Sequence, residues 1–234
     1  MSMYKNLVPL RHQEHAGLRL QPVSGYHFAR ELLLAPVVID ELAEAAREYP
    51  IVFPRDAGLP AVLLGVQQGR NAYVDESGRW QAGYLPAHLR HYPFMLRRLP
   101  GKDGGQGRMA VMIDADSPLW SRADGEPVFD GESLSGAAQR AVELLSALSP
   151  RQVATRAMVE AVVRAGILVE RTVRVQRPGQ ADARVSGLRV VDEKAFNALD
   201  DEAFAALRKS GALPLVYAHL LSWANLRQGP IGRA

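Results

Sequence analysis

The sequence predicts an α+β fold: a mixed, mainly antiparallel sheet, helices covering one face, and a helical C-terminal region. Three observations carry that expectation. Two pairs of β-prone runs are joined by turn residues, Ala72–Val74 with Arg79–Tyr84 and Ile167–Gln176 with Arg184–Val191, and hairpins pair antiparallel. Apolar residues recur at helical spacing through Leu134–Ala165. The tail holds two helix-start signals and an apolar run of helix length. Strands and helices grouped in this way, rather than alternating, favour α+β over a parallel sheet.

Length and composition narrow the class. A chain of 234 residues can bury a sizeable core, and with 47% apolar and 23% charged residues it reads as globular. It is expected to form one domain over residues 1–234, with a boundary near Gly131–Ser135 as the alternative. The chain has no cysteine, which removes disulfides, thiolate ligands and a cysteine nucleophile. Net charge is +3, but the arginines scatter from Arg11 to Arg233 without interleaved aromatics, so nucleic acid is not expected as a partner. No secretory signal opens the chain, and runs such as Leu32–Ile39 and Ala61–Val66 are too short to span a bilayer. A cytoplasmic protein is the expectation.

Taken in order, Tyr4–Leu10 extends as a strand that Pro9 ends or confines to an edge. His12 and His15 flank Glu14, but no third ligand follows locally, so a surface loop is expected there rather than a metal site. Leu18–Leu20 alternates as a short strand. From Pro36 the spacing of Val37, Val38, Leu42, Ala45, Ala46 and Tyr49 predicts a helix that Pro50 stops. Ile51–Phe53 and Ala61–Val66 follow as buried strands. Asp75–Gly78 is the turn of the first hairpin, and Pro86 opens a short helix that ends at Tyr92-Pro93. Pro100–Gly107 reads as a surface loop and Met109–Ile113 as a central strand. Asp114, Asp116, Asp124, Glu126 and Asp130 lack the rest of a calcium loop and read as a solvated acidic stretch.

Ser149-Pro150 is expected to divide the long helical region in two, with Ser149 as N-cap and Pro150 at the first helical position. Gly166 stops the second part. The second hairpin follows, with Pro178-Gly179 in its connection. Val191-Asp-Glu-Lys-Ala-Phe196 is then echoed by Leu199-Asp-Asp-Glu-Ala-Phe204. Asp192 and Asp200 can each cap a helix, with apolar residues placed before the cap and at the fourth helical position. After Gly211, Leu213–Leu226 reads as one apolar helix, deeply buried or facing a partner.

The chemistry-bearing residues cluster in Asn71–Phe94. His88 and His91 stand three apart and share a helix face, with Trp80, Tyr84 and Tyr92 nearby. Trp80, Tyr84, His88, His91 and Tyr92 are therefore the expected ligand-binding set. No residue is assigned as catalytic, and no metal or cofactor is expected. His219, alone in an apolar helix, reads as a hydrogen-bonded core residue. The sequence contains no G-x-S-x-G, H-E-x-x-H, G-x-G-x-x-G or P-loop pattern.

An ordered set of segments resembles the bacterial SapC family. It runs from Lys5-Asn-Leu-Val-Pro-Leu10 and His15 through Glu48-Tyr-Pro-Ile-Val-Phe53, Leu64-Gly65 and Asn71. Gly78-Arg-Trp80, Gly83-Tyr-Leu-Pro86, Arg90-His-Tyr-Pro-Phe94, Ile113-Asp114 and Gly125-Glu-Pro-Val-Phe129 continue it. Gly187-Leu-Arg-Val-Val-Asp192, Leu207-Arg-Lys-Ser-Gly-Ala-Leu213 and Tyr217-Ala-His-Leu-Leu-Ser222 complete it. The resemblance covers nearly the whole chain. It implies a protein of the kind encoded with a bacterial surface-layer system, or beside halogenase-like and cupin-like proteins. It supplies no reaction and no catalytic residues. The peptide-uptake permease of the same name has membrane spans that this chain lacks.

Two functions are carried forward. One is a non-enzymatic accessory or binding protein, taking a small-molecule ligand, a protein partner or a second copy of itself. The other is a small-molecule or metal-dependent enzyme with its site around His88 and His91.

Overall fold

The computed structural model describes residues 2–56, 58–100, 107–175 and 183–233. The Pro100–Gly107 loop and the Pro178-Gly179 connection fall largely outside them.

β1 (Leu7–Pro9) is an edge strand, as Pro9 requires, and it pairs with β7 (Met109–Asp114). β7 is central, with β6 (Phe94–Arg98) on its other side. β2 (Arg19–Leu20) lies between β8 (Trp120–Ser121) and β9 (Glu126–Pro127). The larger sheet has the order β12-β13-β4-β5-β3, with β3 at Leu34–Pro36, β4 at Ile51–Pro54 and β5 at Ala61–Leu63. Its hairpin, β12 (Leu168–Val175) and β13 (Ala183–Val191), is the second one expected. A small ribbon joins β10 (Phe129–Asp130) to β11 (Ser133–Leu134). Every strand pair recorded among the described residues is antiparallel.

The helices follow the apolar spacing, with four departures. His12–His15 is a one-turn helix, α1, rather than a loop; Arg11 pairs with Glu14 across it at 2.8 Å. α2 (Leu42–Glu48) follows a 3-10 turn at Ile39–Glu41, and α3 (Ala87–Arg90) starts just after Pro86. The expected break at Ser149-Pro150 is absent. α4 runs unbroken over Gly136–Arg164. Ser146, Ser149 and Pro150 are all exposed, so the carbonyl that Pro150 leaves without a donor faces water. The Arg151 guanidinium also donates to the Ala147 carbonyl at 2.6 Å.

The first expected hairpin reduces to one bridge, Val74↔Trp80, around a turn whose Gly78 has φ +84. Its second arm is diverted: the Gly83 and Tyr84 N–H groups donate to the Glu48 carboxylate at 2.6 and 2.9 Å, where a ladder would need a strand. The tail forms α5 (Glu193–Asn197), α6 (Asp201–Lys209) and α7 (Leu213–Ser222). Asp192 and Asp200 cap α5 and α6 as expected, and the Phe196 and Phe204 rings meet at 6.0 Å. The apolar run breaks after Ser222, and a separate turn, α8 (Asn225–Gln228), takes over. There the Asn225 amide donates to the Ala46 carbonyl at 2.8 Å, tying the tail to α2.

Two main apolar clusters hold the described residues, and a third, minor one joins Val38, Ala87 and Leu148. Tyr49, Ile51, Phe53, Leu63, Tyr73, Val159, Val162, Leu215 and Val216 belong to the larger one. Phe94, Ile113, Val128, Ala138 and Leu145 form the smaller one. Because α4 is continuous, its first half covers the smaller cluster and its second half the larger. Among the described residues, no helix is long and apolar enough to cross a membrane.

Candidate functional site

Two glutamates of the 3-10 turn and α2 seat the aromatic segment. Glu41, only 6% exposed, accepts from Val38 N at 3.0 Å, Ala87 N at 2.7 Å and the Tyr84 hydroxyl at 2.8 Å. Glu48 takes Gly83 and Tyr84, as above. Tyr49 donates its hydroxyl to the Tyr84 carbonyl and accepts from Trp80 Nε1 at 2.9 Å. Burial raises the Tyr49 and Tyr84 phenols well above their ordinary range, so both stay protonated donors. Trp80 and Tyr84 are therefore committed to hydrogen bonds within the fold.

A chain of rings links this anchor to the histidines. Trp80 meets Tyr26 at 5.6 Å, Tyr26 meets Phe28 at 5.9 Å, and Phe28 stacks on Tyr92 at 4.1 Å. Tyr92 meets Tyr4 at 5.5 Å, Tyr4 meets His88 at 6.3 Å, and His88 meets His91 at 5.5 Å. Tyr4, Tyr26 and Phe28 were not among the expected site residues. Nothing local could reveal them, since they reach the cluster from far along the chain.

His91 is held by its first nitrogen. Nδ1 lies 2.9 Å from the Phe94 carbonyl, which can only accept, so Nδ1 carries the proton. The Tyr4 hydroxyl donates to the same carbonyl at 3.0 Å. That leaves Nε2 as a bare acceptor. Burial lowers His91 to about 4, and Arg90 pushes the same way, while the Phe94 hydrogen bond opposes them. His88 falls to about 3, through burial first and the neighbouring His91 second. Both rings are neutral near pH 7. Among the described residues, no group of three His, Asp or Glu side chains is placed to hold a metal ion, and this pair gains no third donor.

The five expected residues divide between different surroundings. His91 and Tyr92 line a cavity of about 470 Å³. Leu20, Val23, Phe94, Leu119, Ala137 and Leu144 supply much of its apolar wall, and Gln21, Arg90, Glu126 and Arg140 its polar groups. Arg140 reaches Glu126 at 3.1 Å, so those charges cancel. His88 instead lines a much smaller pocket of about 20 Å³, which His91 also borders. Trp80 and Tyr84 line neither. The Tyr92 hydroxyl donates to Asp114 at 3.1 Å, and burial raises it to about 12.

Other polar candidates are satisfied by the fold. Asp114 is fully buried and accepts from Asn6 N at 2.9 Å and Lys5 N at 3.1 Å, so this member of the acidic stretch latches the N-terminus. His219 Nδ1 donates to the Ile51 carbonyl at 2.7 Å. Its Nε2 accepts from Val191 N at 3.1 Å and Trp223 Nε1 at 2.9 Å. This is the core histidine that the apolar helix led us to expect.

The ordered segments, now seated in one fold, agree with a comparison against known families. The family model described as SapC matches residues 10–228 of the 234. The chain belongs to the SapC family. No curated protein and no solved structure matches it. In this SapC-family chain the match takes in every residue lining the 470 Å³ cavity, from Leu20 to Leu144. Glu41, Glu48 and the ring chain from Tyr26 to His91 also lie within it. Tyr4 lies before the matched region.

Proposed function

We propose that this SapC-family protein is a single-domain, non-catalytic accessory module that binds a small ligand in the His91–Tyr92 cavity. One observation supports the reading: a mainly apolar cavity of ligand size is lined by His91, whose Nδ1 is taken by the Phe94 carbonyl, and we take its accepting Nε2 to be the group offered to the ligand. The matching ligand has an apolar body and one hydroxyl or N–H donor. His91 stays uncharged and Arg140 already has Glu126, so the lining cation without a carboxylate partner among the described residues is Arg90. The lining contains no serine, threonine or cysteine to act as a nucleophile. The alternative, an enzyme built on His88 and His91, has two neutral imidazoles but, among the described residues, no third His, Asp or Glu placed to complete a metal site with them. A link to surface-layer, halogenase or cupin gene systems rests on the family resemblance.

The test is calorimetric titration with 2-naphthol and with 2-methoxynaphthalene, which keeps the apolar body and loses the donor. We expect 2-naphthol to bind roughly tenfold more tightly, the equivalent of one buried hydrogen bond. His91→Phe is expected to erase that difference, and Ala141→Trp to fill the cavity and stop both. Equal affinity for the two probes in the unmodified protein, or binding that survives Ala141→Trp, would remove the proposal.

A second reading has its own observation. Leu221 and Tyr217 of α7 are 75% and 47% exposed, which suits a contact between copies. Light scattering that shows a strict monomer at high concentration would count against it.

A further inference from the structure

A separate cleft of about 390 Å³ lies where β4 and β13 meet the second half of α4. Arg55, Arg164 and Arg189 stand on its walls, with Val159 and Val163 between them. Two of the three guanidinium groups have a carboxylate: Arg55 pairs with Glu170, and Arg164 lies 3.9 Å from Glu160. Arg189 differs. Among the described residues no carboxylate comes within ion-pair distance of it, Asp56 on the same wall included. Its Nη2 makes only two long hydrogen bonds, 3.4 Å each, to the Pro54 and Arg55 carbonyls. Its Nε is buried without a partner.

A guanidinium cannot shed its charge by deprotonating. Arg189 is half-buried, and its Nε is shut off from water without an acceptor, so a counter-ion at the guanidinium would satisfy a charge that the fold leaves poorly partnered. With Arg55 and Arg164 paired, Arg189 is the cleft guanidinium left without a carboxylate within ion-pair distance, beside an apolar strip; the exposed Asp56 on the same wall brings the formal charge balance to zero, so the attraction is local to Arg189. We infer that it is a binding site for a monocarboxylate. The Arg189 guanidinium takes the carboxylate in charge-assisted hydrogen bonds, and the ligand's aliphatic part lies along Val159 and Val163. The proposal is independent of the His91 cavity, which lies elsewhere in the fold and shares no lining residue with this cleft.

The test uses the full chain and sodium hexanoate, with sodium chloride at equal ionic strength and 1-hexanol as controls. Hexanoate is expected to raise the melting temperature saturably, and neither control to do so. Arg189→Gln is expected to weaken hexanoate roughly tenfold, the loss of a hydrogen bond to a charged group. Because Arg189 also holds two carbonyls, that variant could unfold for its own reasons. Val163→Asp therefore decides: it sets a carboxylate on the cleft wall, leaves those carbonyl contacts in place, and is expected to abolish the hexanoate response. No saturable response beyond chloride would overturn the inference. So would a response that survives Val163→Asp, or one removed by Ala141→Trp, which would place hexanoate in the other cavity.

Discussion

The Tyr84 hydroxyl donates to Glu41 Oε1 at 2.8 Å, and the same oxygen accepts the Ala87 N–H at 2.7 Å. One buried carboxylate thus fixes both the aromatic segment and the first turn of α3, the helix that carries His88 and is capped by His91. Its partners lie forty-three and forty-six residues along the chain. Glu41 is a positioning residue for the candidate site: it borders the small pocket beside His88 but does not line the 470 Å³ cavity.

That relationship sets the first prediction. Tyr84→Phe removes one hydrogen bond to a charged acceptor and should cost about 1.5 kcal/mol. Glu41→Ala strands Val38 N, Ala87 N and the Tyr84 hydroxyl together, and should cost about 3 kcal/mol or more. Denaturant unfolding of both single variants and the double variant gives the coupling, expected near 1 kcal/mol. Additive costs would show that the bond contributes nothing to stability.

Acid should destabilise the fold through its buried histidines. His219 is completely buried, and burial lowers it from 6.5 to about 4. The folded protein therefore resists a proton that the unfolded chain accepts. Stability is fully present above pH 6.5 and is lost as the pH falls toward 4. His88 and His91 shift the same way. Each such histidine adds a slope of up to about 1.4 kcal/mol per pH unit in that window. His219→Gln should lower stability at pH 8, because Ile51, Val191 and Trp223 lose their partner, yet flatten the acid limb by one proton. An unchanged slope in pH-dependent urea melts would contradict the assignment.

Gly78 and Gly187 share a left-handed backbone, with φ +84 and +75, yet they should respond differently to alanine. At Gly187 a Cβ meets nothing within 4 Å, so the cost is the strained backbone alone, about 1 kcal/mol. At Gly78 the Cβ would stand 2.4 Å from His27 Nε2, and the ring must move. Gly78→Ala should cost about 2–3 kcal/mol, the same strain plus the collision. Equal melting temperatures for the two variants would mean that His27 yields freely.

Local sequence chemistry was legible wherever the partner lies nearby. Asp192 and Asp200 cap helices within three residues, Gly166 and Gly211 stop helices, and the β12–β13 hairpin closes on its neighbour. Misread elements were decided at long range. Arg79–Tyr84 reads as a strand until the Glu48 carboxylate claims its N–H groups. For the cavity, spacing grouped His91 with Tyr92 but could not bring in Leu20, Leu144 or Arg140, which line it from β2 and α4. Spacing also could not show that Trp80 and Tyr84 hydrogen-bond within the anchor while His91 lines the cavity.

Pro150 gives the sharpest case and the last prediction. Proline after serine normally opens a helix, yet α4 continues through it because the helix must span both apolar clusters, from Ala138 and Leu145 to Val159 and Val162. Burial along those faces outweighs a local penalty of about 3 kcal/mol for an interior proline. The penalty is reduced where the stranded carbonyl meets water and where Arg151 takes the Ala147 carbonyl. Pro150→Ala restores a donor to the Ser146 carbonyl on an exposed face and removes no buried contact. It should raise stability by about 1–2 kcal/mol, less than the full helix penalty because the solvated site already recovers part of it. Differential scanning calorimetry on the variant reads this as a higher melting temperature. A lower one would mean that the proline shapes a bend on which the fit of α4 to the two clusters depends.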